Sequence, residues 1–148
     1  MPNPAHTHLI LNHVPVIGVV LGILLLMVAL LGKSEDLKKA SLGLFVVMAL
    51  VAIPAYLTGE PAEGIVKDLP GVSREMIEQH EEAALVALIA LAVLGLCCLV
   101  GLYVFRRAPA MPTWLVVSIL VLSIVVGGLM ARTANLGGQV HHQELRAG

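Results

Sequence analysis

Four apolar runs, each close to the roughly 20 residues that span a bilayer's hydrocarbon core, decide what this chain can become. They extend from about Leu9 to Leu31, Ala40 to Leu57, Ala83 to Phe105 and Trp114 to Ala131. Each stops at a polar or turn-forming break: GKSEDLKK, TGEP, RRAP and RTANLGG. None shows the period-two alternation of a strand, and all are too long for one. Composition agrees. The chain is 58% hydrophobic and 13% charged, with mean hydropathy +0.93, whereas soluble domains carry about 25% charged residues. Aromatics make up 3% while Leu, Val, Ala and Gly abound, which favours helices packed through small side chains over a barrel with aromatic girdles. The reading is therefore all-α. It is a single membrane domain over residues 1–148, an integral four-helix bundle. Its helices are expected near 8–32, 40–58, 74–106 and 113–134, with an outer loop over 59–73.

Charge sets the expected orientation. The two short connectors, Gly32–Lys39 and Arg106–Pro112, hold Lys33, Lys38, Lys39, Arg106 and Arg107. The other side spreads Lys67, Arg74, Arg132 and Arg146 over far more chain. Basic density marks the short-loop side as cytoplasmic. Both termini then face outward, to the periplasm of a bacterial inner membrane. Tyr103, Phe105 and Trp114 fall at the inner boundary, where an aromatic belt belongs. Nothing basic precedes the first apolar run, so it is read as a permanent helix and not a cleaved signal. A net charge of −1 offers nucleic acid no attraction. In the long connector, Ser73 is a candidate N-cap with Glu75 in the first turn, where the helix dipole favours an anion. A helix from there to Phe105 has about 32 residues and a length of roughly 48 Å, projecting several turns beyond the hydrocarbon.

This topology gathers the histidines. His6, His8 and His13 lie at the outer end of the first helix, His80 at that of the third, and His141 and His142 after the fourth. Glu60, Glu63, Asp68, Glu75, Glu78, Glu81, Glu82 and Glu144 share that side, and only Glu35 and Asp36 lie opposite. Carboxylates beside imidazoles can accept the second ring N–H and strengthen a ligand. Small residues cluster near the same level: Ala83, Ala84 and Ala87, then Ala49, Ala52 and Ala55, then Gly127, Gly128 and Ala131. They serve either close helix contact or a pocket for something flat and apolar. Imidazoles above such a gap suit a b-type haem held between two histidines. Pro15 either kinks the first helix, aiming His13 inward, or starts its regular part. Gly137 and Gly138 either permit a turn that folds His141 or His142 towards His80, or end the helix.

The stretch HLILNHVP, with His8, four residues, His13, one residue and Pro15, resembles the H-x-x-x-x-H-x-P opening of a bacterial four-helix membrane family of unknown function. Thr58-Gly59, His80 and Gly137-Gly138-Gln139-Val140 with His142 match the remainder of that family's pattern, so the resemblance spans nearly the whole chain. The chain departs from it in having Leu9 after His8 and a shorter interval from Gly138 to the last histidine. The resemblance implies a four-helix fold with histidines converging at one face.

The leading expectation is an electron-transfer membrane protein or subunit, more a carrier than an enzyme, exchanging electrons with a quinol or a periplasmic redox protein. His13 and His80 are the expected ligands of one haem b. His8 with His142, or His141 in its place, would hold a second, and His6 is assigned to a solvated terminus. The alternatives are a zinc or copper site built by three or four histidines, and a structural or assembly subunit of a larger membrane complex. Ser73 and Ser118 lack a nucleophile-elbow setting, which argues against a hydrolase. The helix cores carry no charged residue, which argues against transport. Cys97 and Cys98, adjacent in an apolar run, cannot face each other in a helix. There is no C-x-x-C-H for covalent haem, and both cysteines are expected as buried packing residues.

Overall fold

The computed structural model describes residues 4–67 and 72–141. They form five helices: α1 (Pro4–Leu31), α2 (Glu35–Leu57), α3 (Gly59–Val66), α4 (Arg74–Val104) and α5 (Thr113–His141). Four of these, all but α3, are long and apolar enough to cross a membrane. α1 packs on α2, α2 on α4, α4 on α5 and α5 on α1. The four close into a square, with α1 and α4 on one diagonal. Only about a third of each span is buried within the chain. Leu21, Leu24 and Leu96 are more than half exposed on its flanks, a surface that hydrocarbon accepts and water does not.

The helix boundaries follow local chemistry. α1 ends in paired bonds from Ser34 N to Ala29 O (3.0 Å) and from Lys33 N to Leu30 O (3.3 Å). Lys33 sits at φ 52, the left-handed residue that this type of helix end requires. Hydropathy starts the second helix near residue 40, but α2 begins at Glu35. Ser34 caps it by accepting from Leu37 N (3.3 Å), and Glu35 and Asp36 occupy the first turn. A polar first turn is invisible to hydropathy yet favourable to the dipole. Glu35 then ties the start of α2 to the connector before α5. Its Oε1 accepts from Lys38 Nζ (2.6 Å) and its Oε2 from Met111 N (2.9 Å), and Lys38 is almost fully buried there. Ser73 caps α4 as expected, accepting from Met76 N (3.2 Å). The expected 59–73 loop is in part helix: α3 lies against α1, with Ala62 buried beneath it.

Packing differs between the two ends. Towards the α1–α2 turn the interior is filled by Leu26, Leu42, Phe45, Leu94 and Val116, all fully buried. Towards the histidine end, α2 and α4 turn inward chiefly small side chains, Ala52, Ala55, Ala83 and Ala87. Gly95 brings α4 against α2: a Cβ there would stand 2.6 Å from that of Ala49. Gly22 likewise admits the Phe45 ring. Of the two cysteines only Cys98 is buried; Cys97 is exposed, because adjacent helical residues point about 100° apart. Tyr103 and Trp114, both largely exposed, ring the end away from the histidines. Gly95→Leu is expected to push α4 from α2 and destabilise the bundle by about 1–3 kcal/mol. Gly43→Leu, where a Cβ meets nothing within 4 Å, should leave the thermal midpoint in detergent unchanged.

Candidate functional site

The alanine-rich half of the bundle encloses a cavity of about 640 Å³. All five helices contribute to its wall. His8, Asn12, His13, Pro15 and Val16 come from α1; Ala52 and Ala55 from α2; Gly59, Glu60 and Glu63 from α3; His80, Ala84 and Ala87 from α4; and Thr133, Gly137 and Gly138 from α5. The small residues thus divide between the two roles open to them. Ala52, Ala55, Ala84 and Ala87 face the void. Ala49 serves helix contact against Gly95, as Gly127 does against Ile23, while Gly128 meets nothing within 4 Å.

Three imidazoles stand at this cavity and share one pattern. His8 donates Nδ1–H to Ala55 O (3.0 Å) and Thr58 Oγ1 (3.1 Å). Ala55 is in the last turn of α2, where carbonyls lose their helical partners, and the Thr58 hydroxyl donates to the same oxygen (2.8 Å). His80 donates Nδ1–H to Thr133 O of α5 (3.1 Å). His13 donates Nδ1–H to Leu9 O of its own helix (2.6 Å). In each neutral ring this bond leaves Nε2 as the unprotonated nitrogen. An imidazole whose Nδ1–H is anchored to a carbonyl is oriented as metal-ligating histidines are. His8 and His80 are half-buried and reach to a neighbouring helix, whereas His13 is exposed.

The diagonal placement of His13 and His80 matches the expected geometry, since α1 and α4 face across the square. His8 shares that diagonal one turn nearer the end. Carboxylates were expected near the rings; the Nδ1 bonds of the three rings run to backbone carbonyls, which sequence does not label. Pro15 lies well inside α1, which runs unbroken from Pro4 to Leu31, and so does not start the helix. The expected turn or stop at Gly137-Gly138 is absent: α5 continues through both to His141. Gly137 has another use. A Cβ there would lie 2.9 Å from Cε1 of His80, so the imidazole sits where only a glycine leaves room. His6 is exposed, His141 is the last residue of α5, and His142 lies outside the described residues. Among the described residues, no group of three or more His, Cys, Asp or Glu side chains is placed to hold a metal ion.

Sequence reasoning passed over Asn12. Its Oδ1 is buried and has no hydrogen-bond partner among the described residues. The only signal was its place between two singled-out histidines, on an otherwise apolar stretch.

No known protein family, curated protein or solved structure matches this chain, so no residue role can be carried over from a relative. Gly137→Val is expected to push the His80 ring off Thr133 O. Imidazole nitrogen NMR should then show loss of the fixed Nδ1–H tautomer for His80, with that of His8 retained.

Proposed function

We propose that the cavity binds one b-type haem between His8 and His80, and that the protein is a membrane electron-transfer carrier or the carrier subunit of a redox complex. One observation supports this most. Two half-buried imidazoles, on diagonally opposed helices, each have Nδ1–H tied to a carbonyl of a third or fourth helix at the wall of an apolar cavity. The volume lies within the roughly 300–1,000 Å³ of small-molecule and cofactor sites. Alanine walls suit a flat, apolar macrocycle. Two imidazoles suffice for an iron whose other four bonds come from a porphyrin, whereas a bare zinc or copper ion needs a larger ligand set from the protein.

The ligand pair differs in one member from the sequence expectation. His13 is exposed and bonded to its own helix, while His8 is held across to α2. When bound, the haem would supply one-electron chemistry, with His8 and His80 the residues that would hold its iron. The chain's own residues do the rest. Ala55 O and Thr133 O keep the rings in the ligating tautomer. The small side chains give the group room.

We further place the protein across a bacterial inner membrane, with the histidine end towards the periplasm. The basic residues Lys33, Lys39, Arg106 and Arg107 at the opposite end support that orientation. A quinol or a periplasmic redox protein is then the partner.

Detergent-purified protein from haem-replete cells should give a b-type pyridine haemochrome spectrum. His8→Ala and His80→Ala should each abolish it, and His13→Ala should keep it. A colourless preparation with full stability would refute the assignment and favour a structural subunit. Alkaline phosphatase fused after Val66 should be active, and fused after Arg107 inactive; the reverse pattern inverts the topology.

A further inference from the structure

Asn12 is anomalous in its setting. It sits one helical turn from His8 and next to His13, and all three line the cavity. Its Oδ1 is buried without a hydrogen bond. Buried polar atoms are nearly always paired, and an orphan in a native fold calls for a partner. Leaving such a group unpaired is costly, more so where the walls are apolar and the local dielectric is low. The nearby walls carry Pro15, Val16, Ala52, Ala87, Leu88, Leu91 and Met130, none of which has a side-chain donor. Among the described residues no donor reaches it, so a ligand entering the cavity that Asn12 lines can supply the partner.

The chemistry of that partner can be narrowed. The terminal torsion of an asparagine is soft, so the amide turns to offer either its carbonyl oxygen or its N–H to the cavity. Such a group accepts from a hydroxyl and donates to a carbonyl. His13 adds a second acceptor one residue along. Its Nδ1–H is committed to Leu9 O (2.6 Å), which leaves Nε2 as the basic nitrogen, and the residue is exposed at the cavity rim. The rim belongs to helices whose outer flanks are apolar, so a ligand arriving from lipid reaches it without crossing water.

We infer that Asn12 and His13 form a binding subsite for a lipid-soluble quinol, with the Asn12 amide taking one ring hydroxyl and His13 Nε2 positioned for another. A quinol is flat and apolar in body. It carries hydroxyl donors when reduced and carbonyl acceptors when oxidised, the two forms that a turning amide can meet. The inference rests on the proposed electron-transfer reading for its purpose, but binding itself does not require the haem.

The test is calorimetric titration of the detergent-purified protein with decylubiquinol and with its di-O-methyl ether, which lacks the donors. The wild type is expected to bind the quinol about tenfold more tightly than the ether, the size of one lost hydrogen bond. Asn12→Leu should weaken quinol binding about tenfold and abolish that discrimination. Asn12→Gln, which keeps the amide, should retain part of it, and His13→Phe should weaken the quinol but not the ether. Thermal midpoints taken alongside establish that each variant is folded. Equal binding of quinol and ether by the wild type, no binding of either, or unchanged affinity in folded Asn12→Leu would overturn the inference. The haemochrome spectrum is read on the same samples. Haem without quinol discrimination defeats this inference alone, and quinol discrimination without haem defeats the electron-carrier reading alone.

Discussion

Two ring N–H groups tie the histidine end of the bundle together. His8 of α1 gives its Nδ1–H to the end of α2, and His80 of α4 gives its own to α5. Each bond crosses between helices where the packed side chains are too small to hold them by bulk alone. Each also settles which nitrogen of the ring carries the proton. In an apolar interior such bonds are worth more than in water, because their alternative is an unsatisfied polar group. The same contacts that hold the bundle together around the cavity therefore also fix the tautomer and orientation of its imidazoles.

Volume explains why there is a cavity to close. Interiors pack near crystal density, so a run of alanines facing a run of alanines must either draw the helices together or leave space. Both outcomes occur in this chain. At the Gly95–Ala49 level α4 and α2 approach until no Cβ fits on Gly95. Further towards the histidines, Ala52 and Ala55 face the same void as Ala84 and Ala87, and the helices stay apart. The opposite half, filled by Phe45, Leu42, Leu94 and Leu26, is the solid part of the fold. Glu35 fastens that half by holding Lys38 and the Met111 amide at once. A solidly packed end and a hollow end thus share one bundle.

The fold class was legible from particular residues. The uncharged runs from Leu9, Ala40, Ala83 and Trp114 each required a helix, and Ser73 announced the start of α4 through its cap. The start of α2 was less legible, since the charged first turn Glu35–Lys39 belongs to the helix while reading as a loop. α3 was missed because eight residues with Pro61 and two glycines resemble a turn until Ala62 is seen buried. In the site, His8, His13 and His80, three of the histidines picked out from sequence, line one cavity. Their Nδ1 acceptors were not legible, because Ala55 O and Thr133 O are main-chain atoms common to every residue. Gly137 was read for its backbone freedom, yet its contribution is the absence of a Cβ beneath an imidazole.

Sequence alone determined that the chain is helical, how many helices are long and apolar enough to cross a bilayer, and that its histidines gather at one end. These follow from hydrophobic run length and from parity: an even number of spans returns every second connector to the same side. Tertiary structure alone decided which alanines line a void and which seal a contact, which histidine reaches a neighbouring helix, and that Asn12 Oδ1 has no hydrogen-bond partner among the described residues. Those depend on how helices rotate and tilt against one another. That is set by side chains distant in the chain, and no local pattern encodes it.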